Sequence, residues 1–185
     1  MFKMYGNLIE VENADGKVKE LYKLIEQMQG SVMPHIKLHA TYAFEDMDCF
    51  INPMKLTRNH PKVPLVWFAL MRMYVAVKEN FIYCKTLNKK MLNSLGVSNN
   101  KIQEYITDLN KAPLEEKEIM LLKKAIKAIY DSHNFKQKDF NTLKEVGYDE
   151  KTIYEIITYS TNFMGIALRL NTYLNKEEIL ENGNS

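Results

Sequence analysis

Apolar residues recur at helical spacing along most of the chain, and the elements follow from where that spacing starts and stops. Leu21, Leu24, Ile25 and Met28 form one stripe, preceded by Asp15-Gly16 and closed by Gly30, a residue suited to the left-handed position after a helix. Pro34 opens a second helix predicted to run through Ile36, Ala40, Phe44 and Met47, since proline at the first helical position sacrifices no hydrogen bond. Three prolines, Pro53, Pro61 and Pro64, predict mostly loop from Asn52 to Pro64. The most apolar run, Leu65 to Val77 interrupted only by Arg72, predicts a buried helix that ends near Lys78. A further helix is expected from about Asn80 to Leu95, stopping at Gly96, and Ser98 caps a short one carrying Ile102, Tyr105, Ile106 and Leu109.

The second half reads the same way. Pro113 marks a first helical position, with Glu115 and Glu116 favoured at the positive end of the helix dipole and an inward stripe of Ile119, Leu122, Ile126 and Ile129. A short helix bearing Phe140, Leu143 and Val146 stops at Gly147. Asp149 caps the last long helix, whose inward face is Ile153, Ile156, Ile157, Phe163 or Met164, Ala167 and Leu170. No stretch alternates with period two, so the predicted class is all-α, in one helical domain over residues 1–185 with a disordered tail at about 181–185.

Composition narrows this picture. Of 185 residues 46% are hydrophobic, which excludes wholesale disorder and supplies a core for one ordinary domain. Seven glycines and five prolines are about half the usual share, as long helices with few turns would have. A formal net charge of +2, with lysines scattered among acids, argues against a nucleic-acid partner. The 13-residue apolar run is too short for a membrane span, and Met1 to Glu10 lacks the pattern of a signal segment. The expected location is therefore the cytoplasm. Two cysteines, Cys49 and Cys84, cannot make a disulfide framework.

The segment from Tyr74 to Asn88 carries the chemistry. Val75-Ala76, Asn80, Tyr83-Cys84, Leu92 or Leu95, and Gly96 fall in an order that resembles the signature of the AhpD-like, carboxymuconolactone decarboxylase family: Val-Ala, Asn, Cys-x-Tyr-Cys-x-x-x-His, then Leu and Gly. Leu143 to Ile153, with Gly147-Tyr148-Asp149 inside it, is similar to the opening of that family's final helix. Gly16 to Gly30 followed by Pro34 resembles its N-terminal helix and exit, so the likeness spans roughly residues 16 to 175. It implies an all-helical, AhpD-like bundle that forms homo-oligomers, trimers or hexamers, and needs no cofactor.

In peroxidatic members of the family one cysteine attacks the peroxide and a second, three residues away, resolves the sulfenic acid. A glutamate about three turns earlier and a histidine four residues after the second cysteine relay the proton that the leaving oxygen needs. Of these four positions the chain keeps one, Cys84; Phe81 stands for the first cysteine, Asn88 for the histidine and Ala69 for the glutamate. Phe81, Cys84, Lys85 and Asn88 share a helix face by their spacing. With Asn80 as a helix cap and Lys85 adding positive charge, Cys84 reads as a one-cysteine peroxide reductase resolved by an external thiol such as glutathione. The alternative is an inert, buried Cys84 in a non-enzymatic binding or scaffold protein. Decarboxylation of a lactone ranks below both, because its acid and histidine positions are unrecognisable here. Cys49 reads as core, and a Cys49–Cys84 redox pair as the lesser option.

Other constellations compete with the thiol. His35 and His39, four apart, could seat a metal with His60 or Glu45, or simply form a polar helix face. His133 falls at a helix end, where it complements the dipole. Trp67, Phe68, Met71, Met73 and Tyr74 line either a ligand cavity or a core. No nucleotide-binding glycine loop and no serine-hydrolase elbow is present.

Overall fold

The computed structural model describes residues 2–177, so the tail expected to be disordered at 181–185 lies outside them. Among the described residues there are nine α-helices and no strand, apart from an isolated bridge between Met4 and Leu174. The described residues divide into two compact units, 2–55 with 172–177, and Leu56–Asn171.

The first unit holds α1 (Gly16–Gln29), α2 (Pro34–Tyr42) and the start of α3 (Asp48–Asn59). Gly30 adopts the left-handed conformation and its N–H closes α1 on the Glu26 carbonyl. Tyr22 completes the buried stripe of α1, while Leu24, predicted inward, is 41% exposed. One residue of rotation explains the error, because Tyr22 gains a partner inside: its hydroxyl donates to the Ile9 carbonyl at 2.9 Å. The Ile9 N–H in turn donates to Thr41 Oγ1 at 2.9 Å, and Lys37 pairs with Glu10. Pro34 does open α2, but the helix stops at Tyr42, and Phe44–Asp46 form a separate 3₁₀ turn.

The predicted loop at Asn52–Pro64 is corrected by α3, which runs through Pro53 to Asn59. Pro53 is the sixth residue of that helix, where its missing N–H removes a single ladder bond, and burial of Met47 and Phe50 favours the helical turns around it. Only Pro61 and Pro64 act as breakers.

The second unit is built on α4 (Leu65–Lys78), followed by α5 (Ile82–Ser94), α6 (Asn99–Thr107), α7 (Glu116–Tyr130), α8 (Gln137–Glu145) and α9 (Glu150–Tyr173), the last ending in the first unit's residues. Trp67, Phe68, Met71 and Met73 are sealed in the core, and only Tyr74 is half-buried, so this run is packing rather than a cavity wall. The Trp67 indole N–H donates to the Glu118 carbonyl of α7 at 3.0 Å, and the Tyr105 hydroxyl of α6 donates to the Leu70 carbonyl at 3.0 Å. Each bond satisfies a polar atom that would otherwise be stranded in an apolar interior. Ser98 caps α6 by accepting the Lys101 N–H, and Asp149 caps α9 by accepting the Thr152 N–H.

Three details of α7 and α8 differ from expectation. Pro113 lies ahead of the helix, whose cap is Glu115; its N–H donates to the Glu118 carboxylate at 3.0 Å. The buried face of α7 is Leu121, Leu122, Ala125, Ile126 and Ala128, so Ile119 and Ile129 flank it rather than centre it. In α8 Leu143 is buried as expected, but Phe140 is partly exposed and Asp139 is inside instead.

Candidate functional site

The residues singled out around Cys84 lie on α4, α5 and the turn between them. Asn80 does not cap α5. It sits at φ +53°, and its N–H and that of Phe81 donate to the carbonyls of Val77 (3.2 Å) and Ala76 (2.8 Å). This paired closure ends α4 and makes Asn80 its left-handed C′ residue, a place where asparagine ranks after glycine. Phe81 takes the N-cap position of α5 without a side-chain bond. Asn80→Gly is therefore expected to stabilise the protein by several tenths of a kcal/mol, and Asn80→Ser to cost about 1 kcal/mol. A true N-cap would instead tolerate serine, so urea titrations of the two variants separate the assignments.

Cys84 remains in the first turn of α5, yet it is only 5% exposed. Phe81, Ala69 and Asn88 are buried as well, Lys85 is half-buried, and Glu79 is exposed. Burial pushes the Cys84 thiol up to about 11, and the Arg72 guanidinium pulls it down by less. At that value the thiol is overwhelmingly protonated at neutral pH. The helix N-terminus favours thiolate, but desolvation outweighs it. The cation that acts on Cys84 is Arg72, not the predicted Lys85.

Arg72 was legible only as a break in an apolar run, and it proves central. Its Nε–H donates to Asn88 Oδ1 at 2.8 Å, Nη1 to the Tyr159 hydroxyl of α9 at 2.7 Å, and Nη2 to Met91 Sδ at 3.0 Å. Asn88 Nδ2 donates back to the Cys84 carbonyl at 2.8 Å. The amide thus links the Cys84 backbone to the guanidinium. All three acceptors of Arg72 are neutral, and among the described residues no carboxylate forms an ion pair with it. A lone charge inside an otherwise apolar helix was the available signal; its partners on α5 and α9 were not.

The histidines are distributed differently from the metal arrangement considered above. His35 and His39 lie on α2 in the first unit, while Glu45 is exposed. His60 belongs to the second unit, where its Nδ1 accepts the N–H groups of Lys62 (3.2 Å) and Val63 (3.0 Å) and closes the turn before α4. Among the described residues no group of three or more His, Cys, Asp or Glu side chains is placed to hold a metal. His39 faces a thiol instead, with its Nε2 3.6 Å from Cys49 Sγ. Both cysteines are unbridged. No described helix is long and apolar enough to cross a membrane.

This helix order and packing are those of the AhpD core. The chain superposes on the alkylhydroperoxidase AhpD core of an uncharacterized peroxidase-related protein from Ralstonia eutropha JMP134 with a TM-score of 0.74 and 15% identity, over 90% of this chain and 88% of that one. It is similar in the same way to an uncharacterized peroxidase-related protein from Silicibacter sp. TM1040, with a TM-score of 0.69 and 15% identity over 91% of each chain. No family model and no curated protein matches the sequence. The chain therefore has the all-α AhpD-like fold.

Proposed function

We propose that this protein is a non-peroxidatic member of the AhpD-like group, with Cys84 as a packing residue and Arg72 as the recognition point for a small carboxylate ligand. The observation that carries the reading is the half-buried guanidinium held by three neutral acceptors without a counter-charge. A guanidinium has five N–H donors, of which Asn88, Tyr159 and Met91 engage three. One remains on each terminal nitrogen, and guanidinium N–H groups bind carboxylates with paired, charge-assisted bonds. Desolvating a cation without an anion is costly, so an incoming carboxylate would gain more here than at an exposed arginine. Peroxide reduction at Cys84 has less support. The thiol is desolvated, and Phe81, Ala69 and Asn88 offer no resolving cysteine and no proton relay. The trimer or hexamer implied by the family resemblance, and a cytoplasmic location, belong to the same proposal.

Two measurements test it. Hydroperoxide consumption by wild type and Cys84→Ser, with and without glutathione, is expected to be equal; a loss confined to the variant would restore the peroxidase reading. Benzoate is expected to raise the melting temperature of wild type, by roughly 3–6 °C at ten times its dissociation constant, where linkage supplies about 1.4 kcal/mol. Benzamide should give no shift, nor should benzoate with Arg72→Met. Equal responses to benzoate and benzamide would remove the carboxylate site.

A further inference from the structure

The first unit contains a second cluster of titratable groups, unrelated to the Arg72 site. His39, in the last turn of α2, is buried, and its Nε2 lies 3.6 Å from Sγ of Cys49. That is contact distance for a thiol–imidazole hydrogen bond, in which sulfur's larger radius lengthens the separation. Cys49 is the second residue of α3, in the first turn, where the helix dipole favours an anion. It is also half-buried rather than sealed, so a small reagent has a route that Cys84 lacks. Phe50 packs against both imidazoles, with ring centroids 4.9 Å from His39, edge to face, and 5.4 Å from His35. The aromatic ring therefore fixes the orientation of His39 toward the sulfur. His35 is held neutral, pushed down to about 4 by burial and then by the charge of His39, and the imidazole in contact with the thiol is that of His39.

We propose that Cys49 is the reactive thiol of this chain and a site of oxidative modification by hydroperoxides, with His39 as its base. His39 accepts the thiol proton, giving a thiolate–imidazolium pair. The thiolate sulfur attacks one oxygen of the hydroperoxide; an S–O bond forms, the O–O bond breaks, and the imidazolium proton neutralises the departing alkoxide. Cys49–SH and ROOH become Cys49–SOH and ROH: the sulfur is oxidised by two electrons and the peroxide reduced by two. A low-molecular-weight thiol then condenses with the sulfenic acid, releasing water and leaving a mixed disulfide on Cys49. This inference is independent of the ligand reading for Arg72.

The test exposes wild type, Cys49→Ser, Cys84→Ser and His39→Gln to stoichiometric hydrogen peroxide with dimedone, followed by peptide mass spectrometry. A dimedone adduct is expected on the Cys49 peptide of wild type and Cys84→Ser, formed at least tenfold more slowly in His39→Gln. An adduct on Cys84, none on either cysteine, or an unchanged rate in His39→Gln would overturn the proposal. Should His39→Gln fail to fold, iodoacetamide rates on native and urea-unfolded wild type decide the matter. Cys49 alkylated faster in the native state upholds the pair; an equal or slower native rate ends it.

Discussion

Trp67→Ala is expected to cost about 3–5 kcal/mol of folding stability, read as a drop in the urea midpoint without a change in slope. The indole is 0% exposed and packs edge to face on Phe68 at 5.3 Å, so truncation leaves a cavity that rigid neighbouring helices only partly collapse into. It also removes the bond that the indole N–H adds to the Glu118 carbonyl of α7, tying the two helices together. Trp67→Phe isolates that second loss: most of the ring volume stays and the donor goes, for about 1 kcal/mol. The effect should extend to ligand recognition. Phe68 packs edge to face on Tyr159 at 5.0 Å, and the Tyr159 hydroxyl accepts from Arg72. Trp67 therefore supports the aromatic ladder that places one acceptor of the guanidinium. Weaker benzoate stabilisation in Trp67→Phe, at a temperature where the variant is folded, would show that connection; an unchanged benzoate response would make Trp67 a residue of stability alone.

What the sequence revealed depends on how local the determining physics was. The bounds of α4 were readable closely because Pro64 precludes an earlier start and the apolar run gives way to charge at Lys78-Glu79. The exits at Gly30, Gly96 and Gly147 were readable for the same reason, each being a left-handed position within two residues of the last apolar one. Pro53 misled because a proline lowers helix propensity without abolishing it, and burial of Phe50 is a tertiary fact. Asn80 misled because asparagine suits both a helix start and a helix end, and only backbone geometry tells which. The position of Cys84 was visible through the family resemblance, but its reactivity was not. Thiol ionisation depends on desolvation by α4 and on Arg72, twelve residues back on another helix. The partner of Arg72 on α9 lies 87 residues away, beyond the reach of any helical period. His39 and Cys49, ten residues apart across a 3₁₀ turn, meet for reasons that no periodicity records.

The other large effect is expected at Asp139, where Asp139→Ala should cost about 3–5 kcal/mol at neutral pH. Its side chain is 1% exposed and accepts Lys124 Nζ at 2.6 Å, Lys127 Nζ at 2.8 Å and the Lys136 N–H at 2.8 Å. The backbone bond closes the first turn of α8, and the two lysines lie three residues apart on one face of α7, so a single carboxylate joins these helices. Burial pushes the carboxyl up, but bonds from Lys124, Lys127 and the Lys136 N–H more than reverse this and hold it well below the usual carboxylate range. The pH dependence follows in sign. A carboxyl of lowered folded-state pKa contributes fully above the unfolded value of about 3.9 and loses that contribution as pH falls toward the folded value. Wild type should therefore lose stability below about pH 4 more steeply than Asp139→Asn, which keeps the shape but carries no charge to protonate. Asp149 is a useful control, since its carboxyl is also depressed, first by Lys62, but it is exposed and its pairing is screened by salt. Adding 0.5 M sodium chloride should erode the effect of Asp149→Asn and leave most of that at Asp139. Unfolding midpoints of wild type and Asp139→Asn that run parallel from pH 7 to pH 3 would show that the carboxylate contributes by packing, not by charge.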